Sequence, residues 1–177
     1  MAGPAGTGRV HVITGPGRGK TTSAFGLAMR AAGHGLRVCV VQFMKTGETT
    51  GEVLSARKLG DITVEQFGTG RFVGPEGPSE DDRRCASDGL ARAKDMLRSG
   101  ECRLLILDEV NVAVHVGLLK ASEVLAVVDL APEGVEIVLT GRDAPREFLE
   151  RADYVSVIES LKHPFDQGLE ARKGIEW

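Results

Sequence analysis

Tryptophan and tyrosine occur once each in this sequence, cysteine three times, and the apolar runs are short segments such as LLIL. A helix that spans a bilayer needs roughly 20 apolar residues in succession, so no membrane segment is expected. Cys39, Cys85 and Cys102 are too few and too scattered for a disulfide framework or a Cys-x-x-Cys metal site, which leaves them as cytosolic thiols in ordinary packing. His11, His34, His115 and His163 show no metal-ligand spacing. An excess of one charge is missing too. With 22 basic against 25 acidic residues and a net charge of -3, and no basic run longer than two, a general nucleic-acid or membrane-surface role lacks its electrostatic footprint. The opening MAGPAGTGR has no charged start followed by an apolar stretch, so no export signal is expected and the cytoplasm is the expected location.

What the chain has in quantity is glycine, 23 residues of it, within a composition that is 42% hydrophobic and 27% charged. That describes a globular protein rich in tight turns. Its 177 residues suit a single domain, with residues 1–8 expected to be flexible. Segments with the length and residue types of strands fall at 9–14, 36–43, 62–67, 103–108, 135–140 and 153–160. Helical periods occupy 21–34 and 79–99, with shorter ones at 51–59, 109–118, 121–128 and 145–151. The first should present Phe25, Ala28, Met29 and Ala32 as one face; the second opens on Ser79 and three acids and carries Ala86, Leu90, Ala93 and Leu97. Several strands are apolar at consecutive positions, as in sheets covered on both faces. The expectation is an α/β fold, a six-stranded mainly parallel sheet with helices on both faces.

The stretch ITGPGRGKTTSAFG, 13–26, supplies the chemistry. A strand, a glycine-rich loop, Gly-Lys-Thr and a helix together form a phosphate-binding loop. Alternating Gly15, Gly17 and Gly19 allow backbone N–H groups to converge on an anion, and the helix adds its positive end. Lys20, expected to stand exposed to the ligand, offers a charge to phosphate oxygens, and Thr21 holds the position that ligates Mg²⁺ in such loops. Pro16, Arg18 and Thr22 complete the nucleotide-binding stretch. One irregularity stands out: the glycine expected five places before Gly19 is Thr14, so the loop is a residue short.

RLLILDE ends a strand in Asp108 and Glu109, two acids that would join Thr21 around Mg²⁺ if their strand neighbours that of the loop. VLTGR places Arg142 at the end of the fifth strand, where its forked donors suit phosphate. The irregular GTGRFVGPEGPS, 68–79, follows the third strand at the edge where α/β sheets bind ligands.

Assembled in order, TGPGRGKTTSAFGLAMRAAGHG, VVQFMK, FGTG, LLILDE, VLTGR and LKHPFDQGLEARKGIEW resemble the ATP:corrinoid adenosyltransferases of the CobA type, the cob(I)alamin adenosyltransferases. The resemblance implies a RecA-like P-loop fold, a homodimer, and ATP held reversed in a shortened loop. Co(I) of a reduced corrinoid then attacks the ribose C5′ carbon and triphosphate leaves. It also implies a reductase or flavodoxin-type electron donor, and an aromatic after GTG that packs against the corrin, here Phe72, with Val73 where enteric members carry Trp. Lys20 and Phe72 are thus the expected catalytic residues. Two other functions share the loop: a small-molecule kinase or NTPase, which would yield ADP and phosphate, and a non-catalytic ATP-binding regulatory subunit, which would turn nothing over.

Overall fold

The computed structural model describes residues 8–47, 49–162, 168 and 170–175. Of the eight residues expected to be flexible only Gly8 is among them, and His163 lies outside them together with most of KHPFDQG. Six strands are found among the described residues: β1 (Val10–Thr14), β2 (Val38–Phe43), β3 (Ile62–Phe67), β4 (Leu104–Asp108), β5 (Glu136–Thr140) and β6 (Tyr154–Val157). They pair in the order β3-β2-β4-β5-β1-β6, every pair parallel. The helices are α1 (Lys20–Ala32), α2 (Gly51–Leu59), α3 (Glu80–Arg98), α4 (Val110–His115), α5 (Ala121–Val128) and α6 (Arg146–Arg151).

The strands without alternation are the central ones. All six residues of β2 and all five of β4 are buried, because each face of the sheet has a helical layer. On one face Ala24, Phe25, Ala28 and Ala31 of α1, with Ala56 of α2, meet Val38, Val40, Ile106 and Val138. On the other, Met96 and Leu97 of α3, Val124 of α5 and Phe148 of α6 meet Val41, Leu105, Leu107 and Leu139. The helix α1 is therefore centred over β4 and β5 and reaches β1, the strand that leads into it, at its margin, where Ile13 packs against the cluster. Its alanine stripe is small enough to lie close across β2, β4 and β5.

Two expectations change. The buried side of α1 is carried by Ala24 and Ala31 beside Phe25 and Ala28, whereas Met29 is 59% exposed on the flank facing α2. The last strand is shorter than 153–160, and all four of its residues are exposed, since among the described residues β6 is an edge strand paired with β1. Cys39 and Cys102 are buried and Cys85 is half-buried. The hydrogen bond that its S–H gives to Cys102, together with burial, pushes the Cys39 thiol above its ordinary range, so Cys39 suits packing and not nucleophilic chemistry.

Helix α3 begins on a capping box: the Asp82 backbone N–H donates to Ser79 Oγ, and the Asp82 carboxylate accepts from Ser79 N at 3.0 Å. The same carboxylate accepts from Thr69 Oγ1 at 2.6 Å, tying both ends of the 68–79 segment together. Hydrogen bonds from Ser79 and Thr69 hold the Asp82 carboxyl below the usual range. A depressed folded-state pKa adds stability above the unfolded value near 3.9, and that stability is lost as pH falls through the folded value. Asp82→Asn should accordingly lower the melting temperature at neutral pH. Its deficit against the parent should shrink as thermal unfolding is repeated down into the acid range.

Candidate active site at the carboxyl edge of the sheet

The glycine loop joins β1 to α1 with Gly15 at φ +101° and Gly19 at φ +116°, backbone that L side chains rarely adopt. Gly15 and Gly17 also permit a close approach. The Gly17 N–H donates to the Ile158 carbonyl at 2.7 Å. A Cβ on Gly15 would stand 2.5 Å from the Ile158 oxygen, and one on Gly17 2.5 Å from the Glu159 oxygen. A Cβ on Gly19 would meet nothing within 4 Å. The chain after β6 thus braces one side of the loop, and the other side stays open at the start of α1.

Lys20 is not exposed, as expected from its position, but 7% accessible. Its ammonium folds back over the loop and donates to the carbonyls of Gly15 at 2.8 Å and Gly17 at 2.7 Å. Burial, and next the Arg142 guanidinium, lower its pKa, while Glu109 and Asp143 pull the other way. An anion that took over the ammonium from these carbonyls would find donors already gathered in the loop. Pro16, Arg18 and Thr22 are exposed and line the same cleft, with the Arg18 guanidinium donating to the Ile175 carbonyl.

The acids do not reach the loop by strand neighbourhood. The sheet order puts β5 between β4 and β1. They meet because α1 crosses the sheet and sets its first turn above β4, where Thr21 Oγ1 donates to Asp108 Oδ1 at 2.9 Å. Asp108 is fully buried. Its Oδ1 also accepts from Thr140 Oγ1 at 2.7 Å, and its Oδ2 accepts from Gln42 Nε2 at 2.9 Å and Lys45 Nζ at 2.7 Å. Burial pushes its pKa up, but Lys45 and these hydrogen bonds together outweigh that and hold it below the ordinary value. Register explains the convergence: Gln66, Gln42 and Asp108 are partners on adjacent strands. The Gln66 amide donates to Gln42 Oε1 at 2.8 Å.

Glu109 takes a left-handed backbone, φ +63°, and its N–H donates to Thr140 Oγ1 at 3.1 Å. That twist separates the two acids. Asp108 points into the row of donors, and Glu109 lines the cleft. Burial, then the Asp108 charge, raise the Glu109 pKa; Lys45, Lys20 and Arg142 oppose them. Arg142 is exposed in the cleft beyond β5, one place after Gly141. Gly141 is itself pinned, as its carbonyl accepts from Asn111 Nδ2 at 2.9 Å.

The cleft that these groups share measures about 1510 Å³ and continues from the loop between α1 and α2, past Met29 and Leu59. Phe72 is not in its lining; the side chain is 93% exposed on the 68–79 segment. The loop residues, Lys20, Thr21, Glu109 and Arg142 are therefore brought together, Asp108 stands just behind them, and Phe72 stands apart. Gln42, Lys45 and Asn111 were not anticipated. A glutamine in an otherwise apolar, wholly buried strand was the available signal for the first, and a lysine just beyond that strand for the second.

The family model for ATP:corrinoid adenosyltransferase BtuR/CobO/CobP matches residues 6–177. The chain belongs to that family. Among similar proteins are the corrinoid adenosyltransferases of Pseudomonas aeruginosa, 36% identical over 171 residues that make 96% of this chain and 84% of that one, and of Escherichia coli K12, 36% identical over 170 residues, 96% and 86%. The corrinoid adenosyltransferase CobA of Salmonella typhimurium is 35% identical with the same coverage. Among solved structures, a KaiC-like protein of Pyrococcus horikoshii superposes with a TM-score of 0.58 at 20% identity, covering 90% of this chain and 75% of that one. This likeness is one of fold, and with the parallel sheet and glycine loop it makes the fold of this adenosyltransferase family member RecA-like.

The bracing of the loop by 158–159 has a direct test. Gly17→Ala would drive a Cβ into the Glu159 and Ile158 backbone at 2.5–2.7 Å, an overlap of the kind that costs about 1–3 kcal/mol. Stability in urea and ATP affinity by calorimetry should fall together. A variant with both unchanged would show the loop to be independent of that segment.

Proposed function

We propose that the protein transfers the 5′-deoxyadenosyl group of ATP to Co(I) of a reduced corrinoid. The cobalt electron pair forms a bond to C5′, the C5′–O bond breaks, and triphosphate leaves with that bonding pair. The observation that carries the reading is the shortened loop, braced on one side and open on the other, in the cleft of a chain of this family. Displacement at carbon needs a held electrophile, an in-line nucleophile and a stabilised polyanionic leaving group. The cobalt is itself the nucleophile, so no protein nucleophile is required.

In this reading the N–H groups at Gly19 and the start of α1 receive the phosphates, with Pro16, Arg18 and Thr22 around them, while the Gly17 N–H stays with the Ile158 carbonyl. Lys20 exchanges its two loop carbonyls for phosphate oxygens, and Arg142 clamps from the β5 side. Mg²⁺, when bound, neutralises charge on the departing triphosphate. The donor set fits it. Thr21 and Glu109 border the cleft, and a magnesium site needs only one or two protein oxygens beside phosphates. Asp108 already accepts four hydrogen bonds, so its part is to orient Thr21, and direct coordination would require it to release a donor.

The enzyme is further proposed to be a single-domain cytoplasmic homodimer supplied by a reductase or flavodoxin-type donor. No helix among the described residues is long and apolar enough to cross a membrane. The test of the function is product analysis: reduced corrinoid and Mg-ATP should give an alkylated cobalt spectrum and triphosphate. ADP and phosphate would indicate a kinase or NTPase, and ATP binding without turnover a regulatory subunit.

Phe72 is proposed to meet the apolar corrin. Its 93% exposure excludes a packing role in the folded chain, so Phe72→Ala should leave the melting temperature unchanged. Turnover of cobalamin, which carries an intramolecular lower ligand, should fall more than turnover of cobinamide, which lacks one. Equal losses on the two would remove Phe72 from corrinoid handling.

A further inference from the structure

The polar row behind the cleft has one charged donor, Lys45. It follows β2, gives its Nζ to Asp108 Oδ2 at 2.7 Å, and keeps 27% of its side chain accessible while lining the cleft. A residue present only to neutralise a buried carboxylate has no need to face a cleft. Asp108 would retain three neutral donors, from Gln42, Thr140 and Thr21, if Lys45 turned away. An ammonium has three donors, and the bond to Asp108 takes one of them.

Position adds to this. The strands β2, β4 and β5 are consecutive in the sheet, so Lys45, Glu109 and Arg142 follow three neighbouring carboxyl ends, with Lys20 across from them at the start of α1. Lys45, Lys20 and Arg142 line the same cleft as Glu109. Cations therefore approach the centre of the site from three directions, and among the described residues lining the cleft Lys45 is the cation that follows β2.

We infer that Lys45 binds the polyphosphate of the nucleotide, and in particular the triphosphate leaving group, as a third phosphate-contacting cation entering from the β2 side. The inference rests on the adenosyl-transfer reading. Breaking the C5′–O bond leaves the electron pair on the terminal oxygen, so the chain gains a charge as it departs, and donors fixed near it act most strongly at that moment. A lysine, a point charge on a flexible stem, can follow a phosphate oxygen and stay beside Asp108.

The experiment is calorimetric titration of inorganic triphosphate, with and without Mg²⁺, into the full-length protein, Lys45→Met and Lys45→Arg, with thermal unfolding in parallel. Lys45→Met should raise the triphosphate Kd at least about tenfold, the loss of one charge-assisted hydrogen bond. Lys45→Arg should recover most of the affinity. In turnover assays KM for ATP should rise with KM for the corrinoid unchanged. A Lys45→Met protein that binds triphosphate like the parent, whatever its melting temperature, would overturn the inference and leave Lys45 as the counter-ion of Asp108. Should Lys45→Met not fold, Lys45→Met/Asp108→Asn removes both charges and is compared with Asp108→Asn alone; the same loss is expected, and equal affinities overturn the inference. Failure of the parent itself to bind triphosphate would overturn the adenosyl-transfer reading as well, which distinguishes the two.

Discussion

A buried carboxylate organises this protein. Taking a charge out of water costs several kcal/mol or more unless it is paired and hydrogen-bonded, and Asp108 is fully buried. Its four donors come from β2, the turn after β2, β5 and α1. Each donor is also a tie between elements that are distant in sequence. The requirement to satisfy one anion therefore sets how α1 sits on the sheet, how the Lys45 turn leaves β2, and where Thr140 ends β5.

The position of α1 carries this constraint into the site. Were α1 centred over β1, Thr21 would lie two strands from Asp108. Its alanine stripe instead lets it cross β2, β4 and β5, so the loop at its start faces the carboxyl ends of three strands at once. The loop must then bend back to β1, and the chain after β6 holds that bend through the Gly17–Ile158 hydrogen bond. Glycine at 15 and 17 answers to this contact, and glycine at 19 to its positive φ. The open side continues into the groove between α1 and α2, leaving room beyond what phosphates need.

Within the same few residues, charge is divided by conformation. Asp108 and Glu109 are adjacent in sequence, yet the left-handed turn at Glu109 sends one into the donor row and the other into the cleft. The pair's pKa shifts run in opposite directions for that reason: dense donors and Lys45 favour the charged form of Asp108, while burial and the Asp108 charge disfavour that of Glu109. A held anion and a cleft-facing one are thus made from two neighbouring carboxylates.

Local pattern was enough for the elements and for most of the site. Consecutive apolar residues marked several strands as covered on both faces, Ser79 followed by three acids marked the start of α3, and Gly-Lys-Thr after a strand marked the loop, because each signal is written in residues that touch one another along the chain. Which strands lie side by side was not written that way. The place of β5 between β1 and β4, the donors Gln42 and Lys45 on Asp108, and the exposure of Met29 and Phe72 all depend on how segments tens of residues apart come together. Such contacts are settled by how helices of a given width cover a twisted sheet and by where a buried charge finds partners, and only the assembled tertiary structure decides both.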